Sequence, residues 1–134
     1  MLDLTNLEKA LRQFKKTLLF CEAEPDGDKQ VMLQTAAIQC FEYTYELAIK
    51  MLRRSLEERL PSHDALSSIS FNDLIRLGAE QGLIDNPSAW FGFRHKRNIT
   101  AHTYDESKAE EIYAILPEVV NKTDYLLQQL KRAQ

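Results

Sequence analysis

Residues 28–60, DKQVMLQTAAIQCFEYTYELAIKMLRRSLEERL, form a run of 33 residues that contains neither glycine nor proline, and this run is the strongest indication of the fold. Strands are usually roughly 3–10 residues long, so the run favours one helix, from about Asp28 to Arg59. Its apolar residues form two stripes at helical spacing, which predicts that neighbours pack on both sides of this helix. The stripes are Val31, Ile38, Phe41, Tyr45, Ala48 and Leu52, and Leu33, Ala37, Cys40, Leu47 and Met51. At ~1.5 Å per residue the helix would span close to ~50 Å, so we expect an elongated molecule.

A further helix is predicted before this run. Apolar residues recur every three or four positions from Asp3 to Glu24, at Leu4, Leu7, Leu11, Phe14, Leu18 and Cys21. The following Glu24-Pro25-Asp26-Gly27 combines an extended residue before proline with a glycine, which is typical of a turn. The first two helices should therefore be joined by a short connection.

Two shorter helices are predicted after Pro61. The stretch 62–68 is polar and non-periodic, which indicates a connection. Ser70 is placed to cap a short helix that ends at Gly82. The pair Asn86-Pro87 then starts a helix that runs through Arg97.

The last predicted helix begins near Asp105 or Ser107, where Ser107-Lys108-Ala109-Glu110 fits a capping box. Pro117 lies in its middle and removes one backbone hydrogen bond, so we expect a kink or a short break there. The predicted fold is all-α: an elongated up-and-down antiparallel bundle of about five helices, with a long central second helix.

Composition agrees with one soluble helical domain over residues 1–134. With 4 Gly and 4 Pro in 134 residues, the chain lacks the turn residues of a β-sandwich or barrel. The formal net charge of −3 argues against a protein that coats nucleic acid, although it allows a local basic site. Cys21 and Cys40 lie in apolar helical patterns, which favours buried free thiols in a cytoplasmic protein. No signal peptide or stretch of ~20 apolar residues is present, so we expect no membrane segment.

The densest group of side chains able to act on phosphate is residues 94–106, RHKRNITAHTYDE. On a continuous helix, several of these side chains would share one face within an arc of roughly 140°. The set is Arg94, Arg97, Asn98, Ala101 and His102, with Tyr104 nearby. Such a face offers a guanidinium for bidentate phosphate contacts and an imidazole that titrates near neutrality. On spacing alone, however, the run is at least as typical of a basic helix end capped by His102.

Other chemically capable residues have ambiguous patterns. Glu42 and Glu46, with Tyr43 and Tyr45, form a polar strip on the second helix that either supports the basic cluster or is simply solvated. Glu46 and Lys50 are spaced for an ion pair within the helix. The aromatic residues Trp90, Phe91 and Phe93 are able to stack on bases, but their spacing is more typical of core or dimer interface, and His63 and His95 are predicted to be solvated.

The segment Arg97-Asn98-Ile99-Thr100-Ala101-His102-Thr103-Tyr104 resembles the signature of the HEPN superfamily, in the branch where it reads R-x4-H-x-Y. Residues 39–47, QCFEYTYEL, and 100–106, TAHTYDE, look like the branch named nucleotidyltransferase substrate-binding proteins. The likeness follows nearly the whole chain in helix order as well as in motif.

The resemblance implies a dimerising helical bundle that binds a separately encoded minimal nucleotidyltransferase. Members with an intact motif act as metal-independent ribonucleases and serve as toxins, with the nucleotidyltransferase as antitoxin. Carried over to this chain, Arg97 and His102 would be catalytic, and Asn98 and Tyr104 would support them. Tyr104 would also be a possible adenylylation site, and Arg94 and Lys96 possible contacts to phosphate or RNA in the motif cleft.

Two further interpretations remain open from the sequence. The chain is alternatively a non-catalytic subunit that binds a nucleotide or other substrate for the nucleotidyltransferase, or a helical scaffold with a vestigial motif. An arginine and a histidine that bind phosphate look the same in one sequence as a pair that cleaves it. Asp105 and Glu106 alone would make a poor Mg²⁺ site, so we expect neither a metal nor another cofactor.

Overall fold

The computed structural model describes residues 2–61 and 66–133, which contain five α-helices of at least 10 residues and no strand. The helices are α1 (Thr5–Ala23), α2 (Gly27–Arg59), α3 (Phe71–Glu80), α4 (Pro87–Asn98) and α5 (Glu106–Arg132), with a turn of 3₁₀ helix at Thr100–His102 between α4 and α5. The predicted all-α bundle of about five helices is confirmed. The predicted connection 62–68 lies partly outside the described residues, and His63 lies outside them.

The three long helices α1, α2 and α5 pack against one another. The shorter helices α3 and α4 contact each other, and they pack on the long helices through contacts of α3 with α2 and of α4 with α5. Only residues 24–26 separate α1 from α2, so these two helices are antiparallel. Asp26 begins α2 because its side chain accepts hydrogen bonds from the backbone amides of Asp28 and Lys29. The helix that follows runs for 33 residues and is the long central element that the sequence predicts.

The core of the bundle draws side chains from all five helices. From Ala37 onward, α2 buries residues of both predicted stripes, including Phe41 and Leu52, which are fully buried. At its beginning only the face with Leu33 packs on the core, so the opposite face is solvated and Val31 is 61% exposed. The prediction that Val31 belongs to a buried stripe is therefore wrong. Cys21 and Cys40 are buried free thiols, as predicted.

Helix α5 continues through Pro117, so the short break that the sequence allowed as one alternative does not form. The neighbouring Leu116 and Val119 are fully buried in the core. Asp105 is the N-cap, and its carboxylate accepts from the backbone amide and the hydroxyl of Ser107, each at 2.9 Å. The Ser107–Glu110 capping box does not form, since Ser107 already lies inside the first turn. No helix in the described part of the chain is both long enough and apolar enough to cross a membrane.

Two glycines inside helices make a matched pair for testing the packing of α3. A Cβ atom at Gly78 would lie 2.9 Å from Cγ1 of Ile84 and 3.1 Å from Cδ1 of Leu52, whereas a Cβ at Gly92 would meet nothing within 4 Å. Ile84 and Leu52 are buried, so neither has room to move away. Close packing of α3 on α2 therefore requires glycine at position 78.

We expect Gly78→Ala to destabilise the protein, since overpacking a core costs about 1–3 kcal/mol and exceeds the helix-propensity gain of about 1 kcal/mol. Gly92→Ala has the propensity gain without the clash and should stabilise by about 0.5–1 kcal/mol. Urea unfolding of both variants measures the two changes. Equal effects of the two substitutions would contradict the close approach at Gly78.

Candidate functional site

The basic cluster of residues 94–106 lies where α4 ends and the chain turns toward α5. After Asn98 the backbone hydrogen bonds connect residues three apart, which tightens the chain into 3₁₀ turns. These bonds are Ile99 N to Lys96 O at 3.1 Å, His102 N to Ile99 O at 3.0 Å and Asp105 N to His102 O at 3.1 Å. The hydroxyl of Thr100 donates to the carbonyl oxygen of Arg97 at 2.8 Å and so replaces part of the helical ladder.

The prediction of one continuous helical face is therefore wrong for the residues that it grouped, namely Arg94, Arg97, Asn98, Ala101 and His102. The break in the helix turns the cluster into three neighbouring parts with different partners. Arg97 points toward α2, Lys96 toward α5, and His102 and Tyr104 lie on the exposed connection.

Arg97 is held by side chains from two parts of the chain. Its Nη2 forms an ion pair with Oε1 of Glu46 at 2.5 Å, and its Nη1 lies 3.7 Å from Oε2 of Glu42. Nη1 also donates to Oγ1 of Thr100 at 3.0 Å. Glu42 and Glu46 are one turn apart on α2 and so face Arg97 together. The guanidinium is thereby fixed between the 3₁₀ turn and the middle of the central helix.

The inner edge of Arg97 is closed to solvent. Its Nε is buried and has no hydrogen-bond partner, while the side chain as a whole is 29% exposed. Tyr45 is buried nearby, and this burial raises the pKa of its phenol to about 12, although Arg94 and Arg97 act to lower it. Tyr45 is therefore a neutral phenol at physiological pH. The outer Nη edge is the part of Arg97 left to contact a ligand.

His102 and Tyr104, on the turn after α4, are both exposed, and Tyr104 is 84% exposed. The phenol oxygen lies 3.5 Å from Nδ1 of His102, and the two rings meet edge to face with centroids 6.0 Å apart. The opposite nitrogen, Nε2, is therefore the one that Tyr104 leaves open to a substrate.

Three further predicted residues lie around this centre. The guanidinium of Arg94 stacks on Phe71 of α3, 4.7 Å from the ring centroid, and remains exposed. Lys96 forms an ion pair with Glu111 of α5 at 2.6 Å, and this contact lowers the pKa of the Glu111 carboxyl. Asn98 is exposed at the end of α4. Arg94 is thus available to a ligand beside Arg97, whereas Lys96 already has an acidic partner.

Several side chains whose role the sequence leaves open have a clear position in the structure. Glu42 and Glu46 support the basic cluster through Arg97, and the ion pair of Glu46 is made there rather than with Lys50. Tyr45 belongs to the core, whereas Tyr43 lies elsewhere on α2 and donates to Sγ of Cys40 at 3.1 Å. The remaining predictions are settled by exposure: Trp90 and Phe93 are core residues, Phe91 is half-buried under Arg76, and His95 is exposed.

Thr100 is a contributor that the sequence pattern does not single out. Its side chain is buried, and its hydroxyl contacts both the backbone and the guanidinium of Arg97. The one signal in the sequence is that Thr100 follows Arg97 by three residues. This spacing predicts a contact between the two side chains only if the segment is known to form a 3₁₀ turn. Among the described residues, no three His, Cys, Asp or Glu side chains come together in an arrangement suited to a metal ion.

The all-α bundle thus carries an arginine near the end of α4 and a histidine and a tyrosine on the turn that follows. The chain belongs to the family described as nucleotidyltransferase substrate binding protein like, whose model matches residues 2–132. This confirms the branch that the motif indicates.

Known relatives agree with this assignment. Over 103 residues the chain is 39% identical to a protein of Haemophilus influenzae named probable ribonuclease HepT, covering 77% of this chain and 70% of that protein. A solved structure from Haemophilus influenzae, described as the fold of a substrate binding domain of a nucleotidyltransferase, has a TM-score of 0.90 and 33% identity over 96% of this chain and 99% of that one. A crystal structure from Thermus thermophilus gives a TM-score of 0.74 and 31% identity over 92% of this chain and 98% of that one.

Proposed function

We propose that this protein is the ribonuclease toxin of a toxin–antitoxin pair and that a minimal nucleotidyltransferase is its partner and antitoxin. The observation that carries the proposal is the R-x4-H-x-Y motif, in which Arg97 is fixed by Glu46 and Thr100 while His102 stays exposed on the adjoining turn. The name of the Haemophilus influenzae relative, probable ribonuclease HepT, supports this activity. The family assignment supports the partner.

The proposed reaction is cleavage of RNA by its own 2′-hydroxyl group. The 2′-oxygen attacks the adjacent phosphorus, the bond to the 5′-oxygen breaks, and a 2′,3′-cyclic phosphate and a 5′-hydroxyl are formed. The reaction needs a base at the 2′-oxygen, an acid at the 5′-oxygen and positive charge near the pentavalent phosphate. Nε2 of His102 supplies one of the two proton transfers. Arg97 supplies the charge, and Arg94 extends the contacts to a neighbouring phosphate. Lys96 would have to leave Glu111 before it could add a further contact.

A homodimer completes this mechanism. The attacking and leaving oxygens lie on opposite sides of the phosphorus in an in-line displacement, so one imidazole does not serve both at once. Two protomers that place their motifs at a shared cleft would bring two His102 side chains to one phosphate. The proposal therefore includes a symmetric dimer with RNA bound across the two motifs.

RNA cleavage by the purified protein in the presence of a metal chelator tests the proposed function. Wild type should cleave single-stranded RNA, and His102→Ala should not. Equal cleavage by both preparations, or none by either, would remove the basis of the ribonuclease proposal.

Tyr104 is the proposed point of control by the antitoxin. Its side chain is 84% exposed. The phenol oxygen would attack the α-phosphorus of ATP bound to the nucleotidyltransferase, releasing pyrophosphate and the phenolic proton. The attached phosphate would then carry negative charge beside His102 and Arg97, and the nucleotide would occupy the RNA cleft. Adenylylation would thus switch the ribonuclease off.

We expect Tyr104→Phe to accept no adenylyl group from the partner and ATP, because the variant lacks the nucleophilic oxygen. Its own rate of RNA cleavage should not fall when partner and ATP are added, whereas that of the wild type should. Intact-protein mass spectrometry and the cleavage assay measure both effects. Tyr125→Phe, which removes another partly exposed phenol, is the control and should behave as wild type. Adenylylation of the Tyr104 variant would place the modification elsewhere.

A second candidate function is a non-catalytic subunit that presents a nucleotide to the nucleotidyltransferase. The description of the Haemophilus influenzae structure as a substrate binding domain favours it. In this case Arg97 and Arg94 bind phosphate without His102 taking part in chemistry. Co-purification with the nucleotidyltransferase and nucleotide affinity lost in Arg97→Ala would support this function, and absence of both would exclude it.

A further inference from the structure

The two outer nitrogens of Arg97 already have partners in the free protein. Nη2 pairs with Glu46, and Nη1 contacts Thr100 and lies near Glu42. Nε is buried without a partner, so it is closed to a ligand approaching from solvent. A bidentate contact to phosphate needs two N–H groups on one edge of the guanidinium. The Nη edge is the accessible one, and the carboxylate of Glu46 lies on it.

The local charge also opposes a phosphate at this edge. One guanidinium faces two carboxylates, at 2.5 Å and 3.7 Å, so the three groups together carry a negative charge. Glu46 is 60% exposed and Glu42 is 37% exposed. Exposed ion pairs contribute little to stability, so Glu46 is free to leave Arg97 when a stronger partner arrives.

We propose that Glu46 sets the phosphate affinity of this site by occupying the position on the Nη edge of Arg97 that a nucleic-acid phosphate takes when it binds. The inference rests on the proposed function in assigning phosphate binding to Arg97. The phosphate displaces the Glu46 carboxylate, while Thr100 keeps its contact with Nη1 and holds the guanidinium in place. Glu42 remains farther from Nη1 and adds to the repulsion without occupying the same position.

The direction in which Glu46→Gln changes the affinity for phosphate separates competition from a purely structural role. Glu46→Gln keeps the shape of the side chain and an oxygen that accepts from Nη2, but it removes the charge that competes with phosphate. Competition predicts tighter binding of phosphate groups by the variant. If Glu46 only orients Arg97, the substitution leaves binding unchanged or weakens it.

The experiment measures the Kd of a short single-stranded RNA with 2′-O-methyl ribose, which lacks the 2′-hydroxyl nucleophile and stays intact. All proteins are compared at one salt concentration, because binding to phosphates depends strongly on salt. We expect Glu46→Gln to lower Kd about twofold to fivefold, as removal of a weak competing ion pair should do. Glu58→Gln is the matched control, since it makes the same charge change on an exposed residue about 18 Å further along α2.

The same substitution made in the Arg97→Ala protein tests whether the change in Kd depends on Arg97. In Arg97→Ala, adding Glu46→Gln should give no further gain, because no guanidinium is left to compete for. A gain no larger than that of Glu58→Gln, or a gain that persists without Arg97, would overturn the proposal. If Glu46→Gln behaves as expected while unmodified RNA of the same sequence is not cleaved, the competition stands and the ribonuclease function fails.

Discussion

His102→Ala should reduce the rate of RNA cleavage by about two to four orders of magnitude, the usual contribution of a positioned general acid or base. The imidazole is exposed, and it meets the side chain of Tyr104 through a 3.5 Å approach of the phenol oxygen and an edge-to-face ring contact. Because both residues are exposed, removing the imidazole takes away a proton-transfer group at little cost in packing. Initial rates on a fluorescent single-stranded RNA, measured at saturating enzyme, give the change directly.

The control for this substitution is His95→Ala. His95 is also exposed and lies on α4, one turn before the motif turn, so it reports the effect of losing any imidazole from this end of the bundle. It should retain the wild-type rate. Unchanged thermal unfolding of both variants would show that the fold is intact. A His102→Ala protein that cleaves RNA at the wild-type rate would exclude this imidazole from the chemistry.

Arg97→Ala should lower the cleavage rate by about 10²–10³, which is the loss usually seen when one group that stabilises developing charge is removed. Arg97→Lys keeps the charge but not the planar fork, so it should recover only part of the rate. The lysine variant also keeps a cation between Glu42 and Glu46, which limits repulsion between these two acids on α2. Single-turnover rates separate the chemical step from binding.

Arg54→Ala is the matched control for the arginine variants, because it removes an exposed guanidinium from the same protein outside the motif. Its rate should equal that of wild type. Full activity of Arg97→Lys would contradict a requirement for bidentate contact. Full activity of Arg97→Ala would remove this residue from the site altogether.

Local signals in the sequence predict the elements of the fold well. The side chain of Asn86 accepts from the amide of Ala89, and that of Ser70 accepts from Asp73, so both predicted N-caps are formed. Gly82 adopts a positive φ of 78° just after α3, as its role as a stop requires. These features depend on neighbours within about one turn of helix, and such neighbours are visible in the sequence.

The arrangement of the candidate site depends on contacts that the sequence does not make visible. Helical spacing pairs Glu46 with Lys50, but the structure pairs it with Arg97, 51 residues away along the chain. That contact needs the end of α4 to pack beside the middle of α2. It also needs the helix to tighten into a 3₁₀ turn after Asn98, where the hydroxyl of Thr100 donates a hydrogen bond to the carbonyl oxygen of Arg97. Residue types in the motif predict the chemistry, whereas tertiary packing decides which partner each charge has.

The decisive measurement identifies the chemical ends of the RNA fragments that the protein produces in the presence of a metal chelator. Attack by the 2′-hydroxyl, assisted by Arg97 and His102, predicts fragments with 2′,3′-cyclic phosphate and 5′-hydroxyl ends, formed by the wild type and not by His102→Ala. Fragments with 5′-phosphate ends, or cleavage that disappears on chelation, would exclude this mechanism.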